Sequence, residues 1–300
     1  MIVIKIQGGL GNQLFQYATA RSLSFELNKK LLFDLSFYDE ERFKNVFRLN
    51  QYKIKIELAD ELEIRRIRNM KGPNKLSLVL QKMNISTKYT KRTHWYQDHI
   101  DSFYNKRQYV KHPIYLEGWF ANPVYFENIH LILLKELYPN KLSNETLFWQ
   151  EKIESSNSVS LHVRRGDYLK NNYFNNLPAS YYNKAIDFFR KKKMDPEFYF
   201  FSDDMAFVKN EFKGINGVHF VDVNNKKDNY YSTIKDVEDL YLMSRCKHQV
   251  IANSTFSWWG AWLNKNPEKI IIAPKIWFIN EQAQKRYDNG DLISKSWIKL

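Results

Sequence analysis

The chain alternates short apolar runs with amphipathic stretches, most clearly in its second half. Apolar runs rich in aromatic or β-branched residues at 159–163, 198–201, 218–222, 249–252 and 269–273 predict strands. Between them, apolar residues recur at helical spacing over 181–192, 204–212, 236–246 and 255–264. Such β–α alternation predicts a doubly wound parallel sheet, in which ligands sit beyond the carboxyl ends of the strands. The first half opens the same way. Residues 2–7 read as a strand, Gly8, Gly9 and Gly11 as a tight turn, and Asn12 to about Asn28 as a helix with Leu14, Phe15, Ala18, Ser22 and Phe25 on one face. Leu31–Asp34 is the next strand.

Residues 40–112 are charged and less regular, with helical patterns near 59–70 and 75–83. Tyr115–Phe120 reads as a strand end and turn, followed by a helix over 123–137. The pattern breaks at Tyr138-Pro139-Asn140-Lys141 and again in the polar stretch Glu154–Ser158. These breaks divide an α/β chain into an N-terminal domain, 1–150, carrying the glycine turn, and a C-terminal Rossmann-like domain, 151–300. The last ~20 residues are expected to pack back on the first domain.

Composition narrows the classes. With 300 residues, 44% of them hydrophobic and 16% aromatic, the chain has material for two cores. A single cysteine, Cys246, excludes an internal disulfide framework and reads as a packed thiol. The opening apolar run is too short for a signal peptide, and no run of about 18 apolar residues follows. The expected location is therefore the cytoplasm, where the sequon Asn253-Ser254-Thr255 would stay unmodified. The net charge of +13 admits nucleic acid, anionic membrane or plain solvation. Basic and aromatic residues interleave only around Lys88–Lys111, a pattern that suits stacked bases, sugar rings or an ordinary solvated surface. No recognised nucleic-acid module appears, so nucleic acid ranks last.

Candidate chemistry sits where strands end. Ser160-Leu161-His162-Val163-Arg164-Arg165-Gly166-Asp167 runs from an apolar strand into two guanidiniums, a glycine and a carboxylate. Arginine forks suit a diphosphate and its developing charge. Strand alternation would aim only one of the two into a cleft and leave the other to brace the fold; an ion pair with Asp167 or another carboxylate is the competing reading. His162 is either a ligand or proton-transfer group or a satisfied core histidine. Asp167 is a base, an arginine partner or a turn cap. Ser202-Asp203-Asp204 offers a carboxylate for guanine's N1–H and 2-amino group, although a helix cap explains one aspartate equally well. Asn253-Ser254-Thr255-Phe256 opens a helix whose N–H groups and hydroxyls favour phosphate, against a plain cap worth about 1 kcal/mol. Trp258, Trp259 and Trp262 read as core. Gly9, Gly11, Asn12 and Gln13 present either a polar-ligand turn or simply close packing. The glycine spacing is not the dinucleotide fingerprint, and no metal cluster, nucleophile elbow or Walker loop appears. Three phosphate-type signals in one chain indicate a nucleotide-sugar enzyme.

Together these residues resemble the bacterial α-1,2-fucosyltransferases of glycosyltransferase family 11. The resemblance spans nearly the whole chain. It rests on Gly8-Gly9-Leu10-Gly11-Asn12-Gln13-Leu14-Phe15-Gln16-Tyr17, His162-Val163-Arg164-Arg165-Gly166-Asp167-Tyr168, Phe201-Ser202-Asp203-Asp204 and Ile251-Ala252-Asn253-Ser254-Thr255-Phe256-Ser257-Trp258-Trp259. It implies a GT-B-like fold, two Rossmann-like domains facing a central cleft. It also implies inverting, metal-independent transfer of L-fucose from GDP-β-L-fucose to the 2-hydroxyl of a terminal galactoside, with no cofactor. By that pattern Arg164, with Arg165 beside it, matches the diphosphate arginine. His162 and one of Asp203 or Asp204, next to Ser202, match guanine contacts. Ser254, Thr255 and Phe256, after Asn253, match the phosphate loop. Asp167 is the first candidate base and His162 the second. Relatives often read Gly-Tyr-(Phe/Trp)-Gln where this chain has Gly118-Trp119-Phe120-Ala121; the departure falls on the acceptor side, where Trp119, Phe120 and Asn122 are the candidates. The implied partners are GDP-fucose and a galactose-containing oligosaccharide or lipid-linked glycan, with peripheral contact at the inner face of an anionic plasma membrane. Other linkages, protein O-fucosylation and a non-catalytic GDP-sugar or glycan-binding module are the rival readings.

Overall fold

A computed structural model describes residues 1–39, 46–69, 94–96, 113–170, 173–192, 195–223 and 234–300. The helical pattern near 75–83 and nearly all of the basic–aromatic stretch lie outside these residues. The chain divides into two compact units. Unit 1 comprises 1–50 and 54–136; unit 2 comprises 51–53 and 137–300.

Unit 1 carries a parallel sheet of four strands among the described residues: β1 (Ile2–Lys5), β2 (Leu31–Asp34), β3 (His94–Tyr96) and β4 (Ile114–Glu117), in the order β2-β1-β4-β3. Strand alternation turns Val3, Leu32 and Tyr115 to one face, where Ile67 of α2 (Glu61–Asn69) covers them. Helix α1 (Leu10–Leu27) starts two residues before the glycine pattern suggests, with Gly9 at its cap. Gly8 bends the entering chain at φ +77°, and a Cβ there would lie 3.0 Å from both Trp119 and Asn12. The left-handed backbone therefore favours glycine here, and the surrounding space is tight. The helix expected over 123–137 is not continuous. Two single turns, Pro123–Tyr125 and Glu127–Ile129, precede α3 (His130–Glu136), because Phe126 leaves helical geometry at φ −147°.

Unit 2 carries β5 (Ser158–Val163), β6 (Glu197–Ser202), β7 (Val218–Phe220), β8 (His248–Val250), β9 (Ile271–Ala273) and β10 (Ile298–Lys299). All pairings are parallel, in the order β10-β9-β8-β5-β6-β7. Numbered within the unit, this is the Rossmann order 3-2-1-4-5-6, and the order reverses between β5 and β8. Val159, Leu161 and Val163 of β5 face a core built with Tyr182, Ala185 and Phe189 of α5 (Ala179–Lys191) and Val208 and Phe212 of α6 (Met205–Phe212). The opposite face, with Ser158, Ser160 and His162, lies under α7 (Lys235–Arg245) and α8 (Thr255–Trp262). Cys246 packs there, its thiol pushed up by burial and so inert as a nucleophile. Trp258 and Trp259 are core residues.

Two features differ from the sequence reading. An unforeseen helix, α4 (Asn144–Glu154), belongs to unit 2. It is tied to α7 by Glu238, which accepts from the Ser143 N–H at 2.6 Å, and by Tyr241, which donates to Gln150 at 2.9 Å. The last residues belong to unit 2. They form α9 (Glu281–Asn289) and the edge strand β10, locked by Tyr287 donating to the Pro274 carbonyl and Trp258 to that of Leu292.

Candidate active site

The site is built where the strand order of unit 2 reverses. Leu161 of β5 lies opposite Val250 of β8, so Arg164 and the Asn253–Ser254 start of α8 leave the sheet side by side. Two neighbouring crossovers running in opposite directions open a crevice there.

Strand β5 ends at Val163, before alternation can send the two arginines to opposite faces. Both instead take carboxylates from the end of β6. Arg164 Nη1 lies 2.9 Å from Asp203 Oδ2, and the Arg165 backbone N–H donates to Asp203 Oδ1 at 2.9 Å. Arg165 Nε donates to Asp204 Oδ2 at 3.2 Å, and its guanidinium lies 3.5 Å over the Phe207 ring. Asp204 Oδ1 caps α6 by accepting from the Phe207 N–H at 3.1 Å. Arg165 is thus a brace, while Arg164 is the more exposed of the two at 31%. The expectation that Asp203 or Asp204 reads guanine meets a physical obstacle, since both carboxylates are already occupied by arginines and a helix cap. Ser202 is likewise internal, donating to the Val163 carbonyl at 2.8 Å and accepting from Asp204 N–H at 2.9 Å.

His162 is buried, and its Nδ1 has no hydrogen-bond partner. Burial, reinforced by the Arg164 charge, pushes its pKa down to about 3. The ring is neutral near pH 7 and a poor proton acceptor, which counts against its role as base. Its ring centroid lies 5.3 Å from that of Phe256 in α8. Ser254 caps α8, accepting from the Phe256 N–H at 3.3 Å; Thr255 and Phe256 follow, half-buried. Asn253 is buried, and its amide donates to the carbonyls of Asn175 at 2.7 Å and Trp277 at 2.8 Å. It stitches the loops after β5 and β9 rather than facing outward. Asp167 opens a single turn over Asp167–Lys170.

The glycine turn of unit 1 lies beyond β1, and Gly118 lies beyond its neighbour β4. Gln16, buried, accepts from the Gln7 N–H at 2.9 Å and donates to the Gly118 carbonyl at 3.0 Å. Gln13 is also fully buried. It donates to the carbonyls of Gly8 and Val46 and accepts from the Arg48 N–H, so it braces the turn. Gly11 is buried in the first turn of α1, and the Asn12 N–H closes back on the Gly9 carbonyl at 3.0 Å. On the expected acceptor side, Trp119 is 44% exposed. Phe120 is buried, held at φ +51°, and Asn122 caps the turn after it by accepting from Val124 N–H.

Sequence reasoning missed Asp239. It lies on the first turns of α7, which leads from the carboxyl end of β7 toward β8. Its Oδ1 is buried without a hydrogen-bond partner, and its Oδ2 lies 3.9 Å from Lys235 Nζ, which also donates to Asp222 at 3.3 Å. Desolvation pushes its pKa up to about 7; Lys235 opposes the shift, while Asp236, Asp222 and Glu238 add to it. A buried carboxylate with one oxygen lacking a hydrogen bond, inside an amphipathic helix, is the signal, and it requires the structure to see. Among the described residues, no group of three or more His, Cys, Asp or Glu side chains is arranged to hold a metal ion. No described helix is long and apolar enough to cross a membrane.

The model of glycosyl transferase family 11 matches residues 1–300. The chain is 32% identical to the O-antigen biosynthesis glycosyltransferase WbnK of Escherichia coli, over 98% of this chain and 99% of that one. It is 30% identical to an Escherichia coli alpha-1,2-colitosyltransferase, over 100% and 99%. A structure of mutant Arabidopsis thaliana FUT1 in complex with GDP shares the fold at a TM-score of 0.51, with 14% identity over 90% of this chain and 69% of that one. Two parallel sheets with flanking helices, matching the GT-B-like fold of that neighbour, now stand beside a match over the full length of the chain. The chain belongs to glycosyl transferase family 11 and is a glycosyltransferase.

Proposed function

We propose that the protein transfers L-fucose from GDP-β-L-fucose to the 2-hydroxyl of a terminal galactoside, inverting the anomeric centre. The observation that carries this reading is the pairing of a fixed guanidinium, Arg164, with the N-terminus of α8 at the reversal point of the sheet. The acceptor oxygen attacks C1 of fucose as the bond from C1 to the β-phosphate oxygen breaks, and the electron pair leaves with GDP. Arg164 and the first N–H groups of α8 meet that charge. The acceptor proton leaves late, and Asp167 is the residue for it in this reading. The acceptor is a galactose-containing oligosaccharide or lipid-linked glycan handled in the cytoplasm.

Two full-length relatives carry names for surface-glycan chemistry, one for O-antigen biosynthesis and one for colitosyl transfer. Colitose is fucose without its 3-hydroxyl, so the second name favours GDP-colitose as an alternative donor. A site that hydrogen-bonds the 3-hydroxyl rejects the sugar lacking it strongly. The deciding assay offers GDP-fucose and GDP-colitose to a panel of galactosides, with mass and linkage readout. A fucosyl-α-1,2-galactoside is expected. GDP-fucose bound without turnover on any galactoside would leave a binding module, and another linkage would replace the regiochemistry.

Asp239 is the carboxylate this reading gives to guanine, accepting N1–H and the 2-amino group. Its ionised form is the one that binds, and the diester phosphates of the donor do not titrate near neutrality. KM for GDP-fucose should therefore rise as pH falls below about 7 and level off above it. Asp239→Asn should raise KM and flatten that profile, because Lys235, Asp222, Asp236 and Glu238 stay in place. A profile unchanged in the variant would move the base contact elsewhere.

A further inference from the structure

We infer that Tyr168 is a positioning residue that fixes Arg164 against the start of α8, so that the two grip one diphosphate as a unit. The inference rests on the donor-site reading above. The Arg164 guanidinium lies 5.5 Å from the centroid of the Tyr168 ring, within the range of a cation–π contact. Phe174 stacks on the same ring at 4.5 Å with the planes 7° apart, which leaves the other face to the arginine. The Tyr168 hydroxyl donates to the Asn253 carbonyl at 3.0 Å, one residue before the Ser254 cap. One side chain therefore touches both halves of the clamp.

The sandwich is anchored from behind. Phe174 pairs with Phe278 across an antiparallel bridge, with ring centroids 5.5 Å apart. The Asn253 amide donates to carbonyls in both loops, at Asn175 and Trp277. The loop after β5 and the loop after β9 are thus joined at the end of β8. Asp203 holds one end of the Arg164 fork from the β6 side, and the Tyr168 ring fixes its plane. An arginine aimed by two neighbours meets a diphosphate with its geometry already set. Tyr168 does this without touching the substrate.

The test is a double-mutant cycle on the full chain, read by GDP affinity in calorimetry and by KM and kcat for GDP-fucose. Tyr168→Leu removes both ring and hydroxyl and should weaken GDP binding and kcat/KM by roughly 10- to 30-fold. Tyr168→Phe keeps the stack on Phe174, is expected to fold normally, and should lose only about 3- to 10-fold through the missing hydrogen bond. In an Arg164→Lys background both losses should shrink to within about 2-fold, since the fork they aim is gone. Equal losses in the two backgrounds would make Tyr168 merely structural and overturn the inference, as would an unaltered Tyr168→Leu. Should Tyr168→Leu fail to fold, Tyr168→Phe in both backgrounds decides alone. If Arg164→Lys itself leaves GDP affinity and turnover intact, the donor-site reading has failed and this inference falls with it. A damaged Arg164→Lys without coupling sinks this inference alone.

Discussion

Replacing Arg164 by lysine is expected to lower turnover of GDP-fucose by roughly 10²–10³-fold. Its thermal midpoint should stay close to that of the unaltered protein. The substitution keeps the charge and removes the geometry. Lysine keeps a cation near Asp203, whose Oδ2 lies 2.9 Å from the present guanidinium, so the local ion pair survives. What disappears is the planar fork, which can contact a second oxygen while Asp203 holds one end. It lies beside the end of β8, where in the proposed reaction the departing diphosphate would gather charge. Steady-state kinetics on purified enzyme, with GDP release as readout, checks this. A lysine variant turning over near the normal rate would remove Arg164 from the chemistry.

Gly166→Ala should cost about 10–10²-fold in kcat/KM while altering the melting curve little. A Cβ at this position would stand 2.6 Å from Asp203 Oδ2, too close to be tolerated. Asp203 is a short side chain and can swing away, which keeps the fold intact. It cannot do so and still hold Arg164 Nη1 and the Arg165 N–H, each at 2.9 Å. The substitution therefore acts through a carboxylate just beyond another strand, β6. Activity and midpoint are measured together: a collapse of both would show a folding defect, and full activity would show that Asp203 does not aim the arginine.

The βα units of both halves were legible because strands buried on both faces read as apolar runs and their helices as amphipathic ones. Val159, Leu161 and Phe198 could be placed this way from spacing alone. Helix α9 was not, because EQAQKRYDN is polar on nearly every side and, among its described side chains, buries only Tyr287. The break at Phe126 escaped too, since an apolar residue at helical spacing gives no hint that its backbone departs from the helix. At the site, residue types were easier to read than partners. The sequence pointed to the ends of β5, β6 and β8 as the places where chemistry gathers. It did not show that Asp203 and Asp204 are taken by arginines, because those partners follow a different strand, β5. Asn253 and Gln13 look like ligand contacts in a motif, yet their amides close loops within their own unit. Asp239 was invisible because its burial, with one carboxylate oxygen left without a hydrogen bond, does not show in a sequence, where it reads as any other acidic residue on a helix.

The enclosed amide of Asn253 also bears on how the protein can be made. Asn253-Ser254-Thr255 is a sequon, and a secretory host attaches its glycan to the nascent chain before folding buries the acceptor nitrogen. Here that nitrogen must end up between the carbonyls of Asn175 and Trp277, with no room for a branched sugar. Glycosylated chains would be unable to close this junction. A host that exports the polypeptide would thus yield misassembled material, whereas one that keeps it in the cytosol leaves the sequon silent.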